Sequence, residues 1–340
     1  MSHVLIKYSV YLAVFLLIVL IYQLMRIYQL SSELKGKNIG IADDKDNNRQ
    51  GVGMVLFMLG FFAFLIWLII RFKHDLLPPA VSDVGKTSDN LFMLNWVIIF
   101  VVFFITTAIL FYFGYKYRRN ENNKTAYFYP HNDKLELIWT VVPSIALAVI
   151  IIYGLSLWGK MTSKPGPDAL KLQIYAKQFD FTIRYAGKDN KLGPTNYKLI
   201  DDASNPLGMY KDSAACWDDV VVRGEMHLPV NREVYIQCNA RDVMHGMYLP
   251  HFRTQINCVP GMSTFMHFTP TETTAEMRKQ LNDSTFDYIL ICNRVCGAGH
   301  YNMFLKVVVD SPDEFNKWLG SKKPQFGDAD KGTVNQTAMK

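Results

Sequence analysis

The stretch CNRVCGAGHYNM, residues 292–303, decides the fold and chemistry that this chain must support. Its cysteines, histidine and methionine follow the spacing C-x3-C-x3-H-x2-M, so Cys292, Cys296, His300 and Met303 can converge from one short loop. Thiolate and thioether ligands are soft and favour copper, and a mixture of Cys, His and Met is typical of copper electron-transfer sites. The stretch therefore predicts a copper centre on a rigid scaffold.

The same spacing excludes two common cysteine sites. It is not C-x-x-C-H, which would attach a c-type haem, and no second C-x-x-C pair is present to complete a zinc ribbon. A disulfide between Cys292 and Cys296 stays open as an alternative. A further ligand is expected at His245 in DVMHGMYLP, because it follows a strand ending near Cys238 and precedes a turn at Pro250.

Composition separates the chain into an apolar first half and a more polar second half. Of 340 residues, 50% are hydrophobic, and nearly all the long apolar runs lie before Lys160. The formal net charge of +6 is spread over loops and forms no single basic surface, so no nucleic-acid partner is predicted. The five cysteines are too few for a disulfide framework, so Cys216, Cys238 and Cys258 are expected to be buried thiols.

Four apolar segments are long enough to cross a bilayer, which takes about 20 helical residues. They run from about Tyr8 to Met25, Val52 to Ile70, Leu91 to Tyr115 and Leu137 to Trp158. The first is interpreted as a retained span, since Lys7 makes a weak signal-peptide start and no small-residue cleavage site follows. Basic residues concentrate in the first and third connections, so the positive-inside rule puts both termini, and everything after Trp158, outside.

The region after Trp158 has the pattern of a β domain. Strand-like runs occur at 170–175, 179–185, 220–222, 234–238, 265–268, 288–291 and 304–309. Many short strands separated by turns favour a sandwich or small barrel. The stretch 192–217 is predicted to be an insertion loop. The predicted domains are helical pairs at 1–90 and 91–160, the β domain at 161–320 and a mobile tail at 321–340.

Three motifs together resemble the binuclear copper (CuA) domain of the cytochrome c oxidase subunit II family. These are DVMHGMYLP, the VPGM that follows it, and CNRVCGAGHYNM. LELIWTVVP at Leu135–Pro143 is similar to the opening of that family's second transmembrane helix, and the resemblance covers about Leu91 to Leu319. It implies a membrane-anchored chain with N-terminal transmembrane α-helices followed by an all-β cupredoxin-like barrel. The four spans favour a bacterial cell membrane.

The resemblance also implies a ligand set and a function. Cys292 and Cys296 would bridge two copper ions. His245 and Met303 would complete one copper, and His300 with the backbone carbonyl of Arg294 would complete the other. As part of a cytochrome-c oxidase, the chain would take single electrons from a c-type cytochrome and pass them to haem in subunit I. Oxygen is reduced and protons are pumped there. Other oxidase subunits and the lipid bilayer are further expected partners.

Two departures from the family pattern limit what is expected around the copper centre. Arg294 stands where the family usually has a glutamate that reaches magnesium, and a cation cannot ligate magnesium, so no magnesium is predicted. Gln178-Phe179-Asp180-Phe181 replaces a tryptophan-rich run where electrons are expected to enter. Phe179 is therefore either the position over which the donor docks or ordinary barrel packing.

Three further features are not copper ligands, and two of them have two interpretations each. Glu136 stands where the family places the mouth of a proton pathway, but an acid in a first helical turn also complements the helix dipole. The two spans before Leu91 are either a lipid-facing anchor or a binding surface for a further respiratory subunit. His251 is close enough to His245 in sequence to shape the edge of the site without binding copper.

Three other functions are alternatives to that of an oxidase subunit. A quinol oxidase subunit keeps the fold but loses the ligands, whereas all five side-chain ligands are retained here. A membrane-anchored copper-delivery protein benefits from exposed, flexible ligands, whereas these lie in a strand-bounded loop. A disulfide-stapled structural anchor would bind no metal.

Overall fold

The computed structural model describes residues 2–34, 43–123, 125 and 127–326. Its four long helices are α1 Ser2–Leu34, α2 Asp44–Phe72, α3 Asp83–Lys116 and α4 Asp133–Thr162. Each is long and apolar enough to cross a membrane, which confirms the four predicted spans. Each helix extends past the predicted apolar run, since helical hydrogen bonding continues into polar flanking residues after the apolar composition ends.

The chain forms two compact units, Met1–Ile70 with Val101–Asn132, and Arg71–Phe100 with Asp133–Lys340. In the first unit, aromatic rings join α2 to the second half of α3. Phe62 meets Phe104 edge-on at 4.8 Å between ring centroids, and Phe57 meets Phe111 at 5.9 Å. The predicted domain ranges stay predictions, and residues 327–340 of the predicted tail lie outside the described residues.

The described part of the second unit contains ten β-strands in two five-stranded sheets, ordered β3-β2-β1-β5-β8 and β4-β10-β9-β6-β7. The strands are β1 Leu170–Lys177, β2 Asp180–Tyr185, β3 Val220–Arg223, β4 Glu225–Pro229, β5 Val234–Ala240, β6 His245–Leu249, β7 Thr254–Cys258, β8 Thr264–Phe268, β9 Tyr288–Cys292 and β10 Phe304–Asp310. Helix α5 spans Thr274–Leu281 and α6 spans Pro312–Ser321. The predicted all-β domain is confirmed.

The core lies between the two sheets. Along β5, buried and half-buried residues alternate, as expected for a strand with one face inward. Leu172 and Ile174 of β1 and Val307 of β10 are completely buried, and each such side chain contributes roughly 1.5–3 kcal/mol. A parallel bridge between Ala240 and Pro260 joins the end of β5 to the turn after β7. The sheets therefore meet at one corner and give a rigid support.

Several elements were missed by the sequence prediction. Strands β4, β6 and β7 and helices α5 and α6 were not predicted. Both helices begin with a capping box, formed by Thr273 with Glu276 and by Ser311 with Glu314. The predicted insertion at 192–217, fully described, has only two short 3-10 helices and isolated bridges. The buried Arg184, paired with Asp219, holds it by donating to the Gly193 carbonyl.

The connection between α2 and α3, together with the first turns of α3, packs on the β domain. Val81 and Val84 are buried in its core. The Val81 amide donates to the His251 carbonyl at 2.8 Å, and Arg253 Nε lies 2.7 Å from Asp89. Because they are packed together, this connection and the β domain must lie on one side of the membrane, as the predicted topology requires.

His251 does not lie beside His245, so the expectation that it shapes the edge of the copper site is wrong. His245 begins β6, whereas His251 lies in the 3-10 helix after the other end of that strand. There its ring packs edge-on against Phe286 and Tyr288 at 5.3 and 5.2 Å between centroids. Although His245 and His251 are close in sequence, the extended strand β6 keeps them at its opposite ends.

Candidate metal centre

The loop between β9 and β10 carries most of the predicted ligands. Cys292 ends β9, and a 3-10 helix at His300–Asn302 leads into Met303, just before β10. The Cys292 amide donates to the Met303 carbonyl at 3.0 Å and closes the base of the loop. Antiparallel pairing of β9 with β10 continues from that closure, so both ends of the loop have fixed positions.

The sulfur atoms of this loop converge. Cys292 Sγ and Cys296 Sγ lie 3.8 Å apart, far beyond the roughly 2 Å of a disulfide, and both thiols are free. Cys296 Sγ lies 3.8 Å from Met303 Sδ and 3.7 Å from His300 Nδ1. Cys292 Sγ lies 3.2 Å from the Arg294 carbonyl oxygen, while the Arg294 side chain is exposed. All the donors predicted from this loop therefore surround the two thiols.

His245 joins this group from a different strand. It is the first residue of β6, completely buried, and its ligand atom lies within 4.8 Å of the sulfurs of Cys292 and Cys296. Pairing of Met247 with Cys292 sets β6 beside β9 and delivers the imidazole to the loop. His245 thus meets the loop, as predicted, and it does so from the first residue of a strand that was not predicted.

The polar contacts of His245 suit a metal ligand. Nε2 lies 2.8 Å from Asp242 Oδ1, while the buried Nδ1 has no hydrogen-bond partner among the described residues. An unsatisfied buried nitrogen costs about 1–3 kcal/mol, which a bound metal ion would remove. A carboxylate behind a histidine is a common arrangement that orients metal-binding imidazoles. The donor set therefore fits copper, and His245, Cys292, Cys296, His300 and Met303 would hold it.

Electrostatics around the thiols link metal binding to protons. Burial and the neighbouring Cys292 raise the pKa of Cys296 to about 11. Burial raises the pKa of Asp242, but hydrogen bonds from the Gln178 amide, His245 and the Val243 amide outweigh it and hold that pKa below its usual value. The carboxylate is thus charged beside His245, whereas the thiols must lose protons when they bind metal.

Sequence reasoning missed the residues that support these ligands. The backbone amide of Gln178 donates to Asp242 Oδ2 at 2.8 Å. Its side-chain Nε2 donates to the Cys296 carbonyl at 2.6 Å. Gln178 therefore ties the β1–β2 turn to both halves of the centre. Asp242 could have been found from its position three residues before His245. Gln178 and Cys296 are 118 residues apart, so no local pattern signals their contact.

Phe179 lies on the surface of the loop, not in the barrel core. Its side chain is 41% exposed. A Cβ atom at Gly299 would lie 2.6 Å from its ring, and one at Gly297 would lie 3.0 Å away. The two glycines thus let the ring lie directly on the loop. Val295 and Tyr301, 83% and 88% exposed, add apolar surface from the same loop.

The remaining predicted site residue, Glu136, lies in α4 and far in sequence from these ligands. Glu136 is exposed in the first turn of α4, where Asp133 is a second acid. Among the described residues, the group with metal-binding geometry consists of His245, Cys292 and Cys296 and does not include it. Any function of Glu136 is therefore separate from metal binding.

Comparison with known proteins gives one family. The model of "Cytochrome C oxidase subunit II, transmembrane domain" matches residues 72–157, so α1 and nearly all of α2 precede the match. The alternative cytochrome c oxidase subunit 2 of Bradyrhizobium diazoefficiens is 30% identical over 281 residues, covering 82% of this chain and 94% of the relative. The cytochrome c oxidase subunit 2 of Thermostichus vulcanus is 25% identical, covering 76% and 82%.

Among solved structures, the periplasmic domain of subunit II of cytochrome oxidase from Bradyrhizobium japonicum matches 48% of this chain and 99% of that one. The identity is 22% and the TM-score is 0.33.

Proposed function

The chain belongs to the cytochrome c oxidase subunit II family, and from this premise we propose that it accepts single electrons at a binuclear copper centre. It passes them to haem in subunit I of a haem-copper oxidase, where oxygen is reduced and protons are pumped. The convergence of two thiols, a thioether and two imidazoles around the β9–β10 loop carries the proposal. Copper bound by soft ligands of this kind supplies one-electron redox chemistry.

The ligand roles are those that the family resemblance implies. Cys292 and Cys296 would contribute their thiolates to both metals. His245 and Met303 would complete the ligands of one copper, and His300 and the Arg294 carbonyl would complete those of the other. The 3.2 Å approach of that carbonyl to Cys292 Sγ supports its role, and the exposed Arg294 side chain gives no support for magnesium.

The protein itself holds these ligands still. His245 is fixed by β6 and Asp242, Cys292 by β9, and Cys296 by the hydrogen bond from Gln178. A ligand cage that does not move between oxidation states costs little reorganisation, and this favours fast electron transfer. Cys292, Cys296 and Met303 are buried, which argues against copper delivery, for which exposed and mobile ligands are better suited. Retention of the ligands argues against a quinol oxidase subunit.

Electrons enter at Phe179 in this proposal. Its exposed ring lies on Gly297 and Gly299, in the loop that carries the two thiols. A c-type cytochrome with an apolar haem edge can dock over Phe179, Val295 and Tyr301. The ring then excludes water and shortens the path between donor and copper ligands.

The chain sits in the cell membrane as a multi-pass protein, with the copper domain in the periplasm or an equivalent extracytoplasmic space. The first unit offers α1 and α2 to lipid or to a further oxidase subunit. Phe57 and Phe61 stack at 6.1 Å and also contact rings on α3, so part of this aromatic surface is already used within the chain. Glu136, at the start of α4, is proposed to open the proton pathway into subunit I.

The test uses the full chain in detergent. It is loaded with copper, and its absorption and electron paramagnetic resonance spectra are recorded. A purple centre with unpaired spin shared over two coppers supports the proposal, whereas a single Cu(I) or no bound metal contradicts it. Cys296→Ser should abolish the shared-spin signal. Cys216→Ser, which removes a buried thiol from the insertion, should retain it.

A further inference from the structure

Two buried thiols outside the metal centre lie side by side. Cys238 on β5 and Cys258 on β7 are both 0% exposed and free. Both side chains belong to the same core cluster, and a bridge between Ala240 and Pro260 joins the ends of the two segments that carry them. Because β5 and β7 belong to different sheets, this contact spans the corner where the sandwich closes.

The backbone register brings the two cysteines together. Ala240 and Pro260 form a parallel bridge, and each cysteine lies two residues before its bridged residue. In extended parallel segments, residues two positions along point to the same side, so both thiols face the same space. At the Ala240–Pro260 bridge the two segments are neighbours at the spacing of paired strands, about 4.7–4.9 Å, and a disulfide needs Cα atoms about 4.4–6.8 Å apart. The register thus favours a bond without large backbone movement.

This thiol pair lies next to the metal centre in the β domain. Cys258 pairs directly with His245 across β7 and β6. The segment from Cys238 to Cys258 also contains Asp242, which holds the His245 ring. A bond between the two cysteines would close a covalent loop around the segment that carries the histidine ligand and its positioning carboxylate.

We propose that Cys238 and Cys258 are a redox-modifiable dithiol that closes to a disulfide and fixes the β5–β7 corner behind His245. The oxidant is a low-molecular-weight or protein disulfide. The Cys238 and Cys258 S–H bonds and the oxidant S–S bond break, and one intramolecular S–S bond forms. Two electrons and two protons pass to the oxidant, which leaves as two thiols. The proposal is independent of copper, since neither cysteine is a metal ligand.

Access to these thiols comes from the turns that follow them. Residues 241–244 after β5 and 260–263 after β7 are exposed. Opening of exposed turns at the end of a sheet costs less than global unfolding, so a small oxidant can reach the corner transiently. While the turns are closed, the buried thiols are protected from such an oxidant.

The experiment treats the copper-loaded full chain with oxidised glutathione. Copper is then chelated, the protein is denatured, free thiols are alkylated and peptides are mapped by mass spectrometry. We expect the alkylatable thiols to fall from the chain's five to three, with one peptide pair joined through Cys238 and Cys258. The oxidised protein should also unfold at a higher temperature than the reduced protein, because the bond restricts the unfolded chain.

Matched variants make the outcome decisive. Cys216→Ser should still form the cross-link, whereas Cys238→Ser and Cys258→Ser should each lose it and show no gain in unfolding temperature on oxidation. Five alkylated cysteines after treatment, or a bond joining either residue to Cys292 or Cys296, would overturn the proposal. The first result would mean that the pair serves as small apolar core residues. Because thiol mapping does not measure copper, failure here and failure of the copper proposal are distinguishable.

Discussion

Asp242 Oδ1 lies 2.8 Å from Nε2 of His245, while the buried Nδ1 of the same ring has no hydrogen-bond partner among the described residues. A charged carboxylate at Nε2 favours the tautomer that carries its proton there and leaves the Nδ1 lone pair free for metal. The second oxygen of Asp242 accepts the Gln178 amide, so a turn from the other sheet braces the same carboxylate. The donor atom of His245 is therefore selected by a residue that does not touch the metal.

Removing this carboxylate should weaken copper binding without unfolding the domain. Asp242→Ala leaves Nε2 unsupported, and the loss of such a supporting group typically costs about 10–100-fold in metal affinity. Competition titration with a copper chelator measures the effect. The exposed Asp212→Ala is the matched control and should bind copper like the parent. Equal affinities for both variants would show that Asp242 does not orient the ligand.

Phe179→Ala should slow electron uptake while leaving the copper spectrum intact. The ring lies on the loop, so its loss lengthens the path from donor to ligands. We expect a fall of about 10-fold in the rate of oxidation of a reduced c-type cytochrome, or about 1.4 kcal/mol in barrier. Stopped-flow absorbance measures this rate. Phe265, also 41% exposed, lies outside the loop on β8, and Phe265→Ala should react normally. A normal rate for Phe179→Ala would remove its proposed role.

Gly246→Ala should destabilise the centre through its neighbour in the loop. A Cβ at residue 246 would collide with the Asn293 side chain and lie 3.2 Å from the Arg294 amide. The exposed Asn293 side chain can turn away, but the Arg294 backbone must shift by a few tenths of an ångström, which we expect to cost about 1 kcal/mol and to move the Arg294 carbonyl. Thermal unfolding and copper content measure the two effects. A Cβ at Gly320 in α6 meets nothing within 4 Å, so Gly320→Ala should not lower stability. A fully loaded, equally stable Gly246→Ala would refute the argument.

His251 should contribute to acid sensitivity. Burial and the nearby Arg253 charge lower its pKa from 6.5 to about 4. Between these values the unfolded chain binds more protons than the folded one, so stability falls as pH drops from about 6.5 to 4. With partial screening by water, we expect a loss of about 2 kcal/mol between pH 7 and 4. Urea midpoints should fall less steeply with pH in His251→Phe, and an unchanged slope would contradict this.

Glu136→Gln tests the proton pathway in the assembled oxidase. A neutral isostere cannot carry a proton, so oxygen-reduction turnover should fall, by about 10-fold or more if no other group replaces it. Asp133→Asn, in the same helical turn, is the control. If both acids only complement the helix dipole, each substitution should cost about 0.3–1 kcal/mol of stability and leave turnover unchanged.

Local sequence patterns predicted most helices and strands, but they did not predict the residues that hold the metal ligands in place, such as Asp242 and Gln178. Apolar length was sufficient for the four helices, and the strand-like runs predicted seven of the strands: β1, β2, β3, β5, β8, β9 and β10. They missed β6, because HGMYL is buried almost throughout and begins with a ligand and a glycine. The capping boxes at Thr273 and Ser311 were visible signals for α5 and α6. The edge position expected of His251 failed because a strand separates it from His245.

The sequence by itself determined the soft ligand set, since its chemistry follows from residue types, and it determined the spans, since apolar length suffices. Only the tertiary structure decided which nitrogen of His245 has no partner, that Gln178 and Phe179 lie on the β9–β10 loop, and that Cys238 and Cys258 lie at the same corner of the two sheets. These contacts join residues that strand pairing brings together from distant parts of the chain. Sheet register creates them, and no local spacing encodes it.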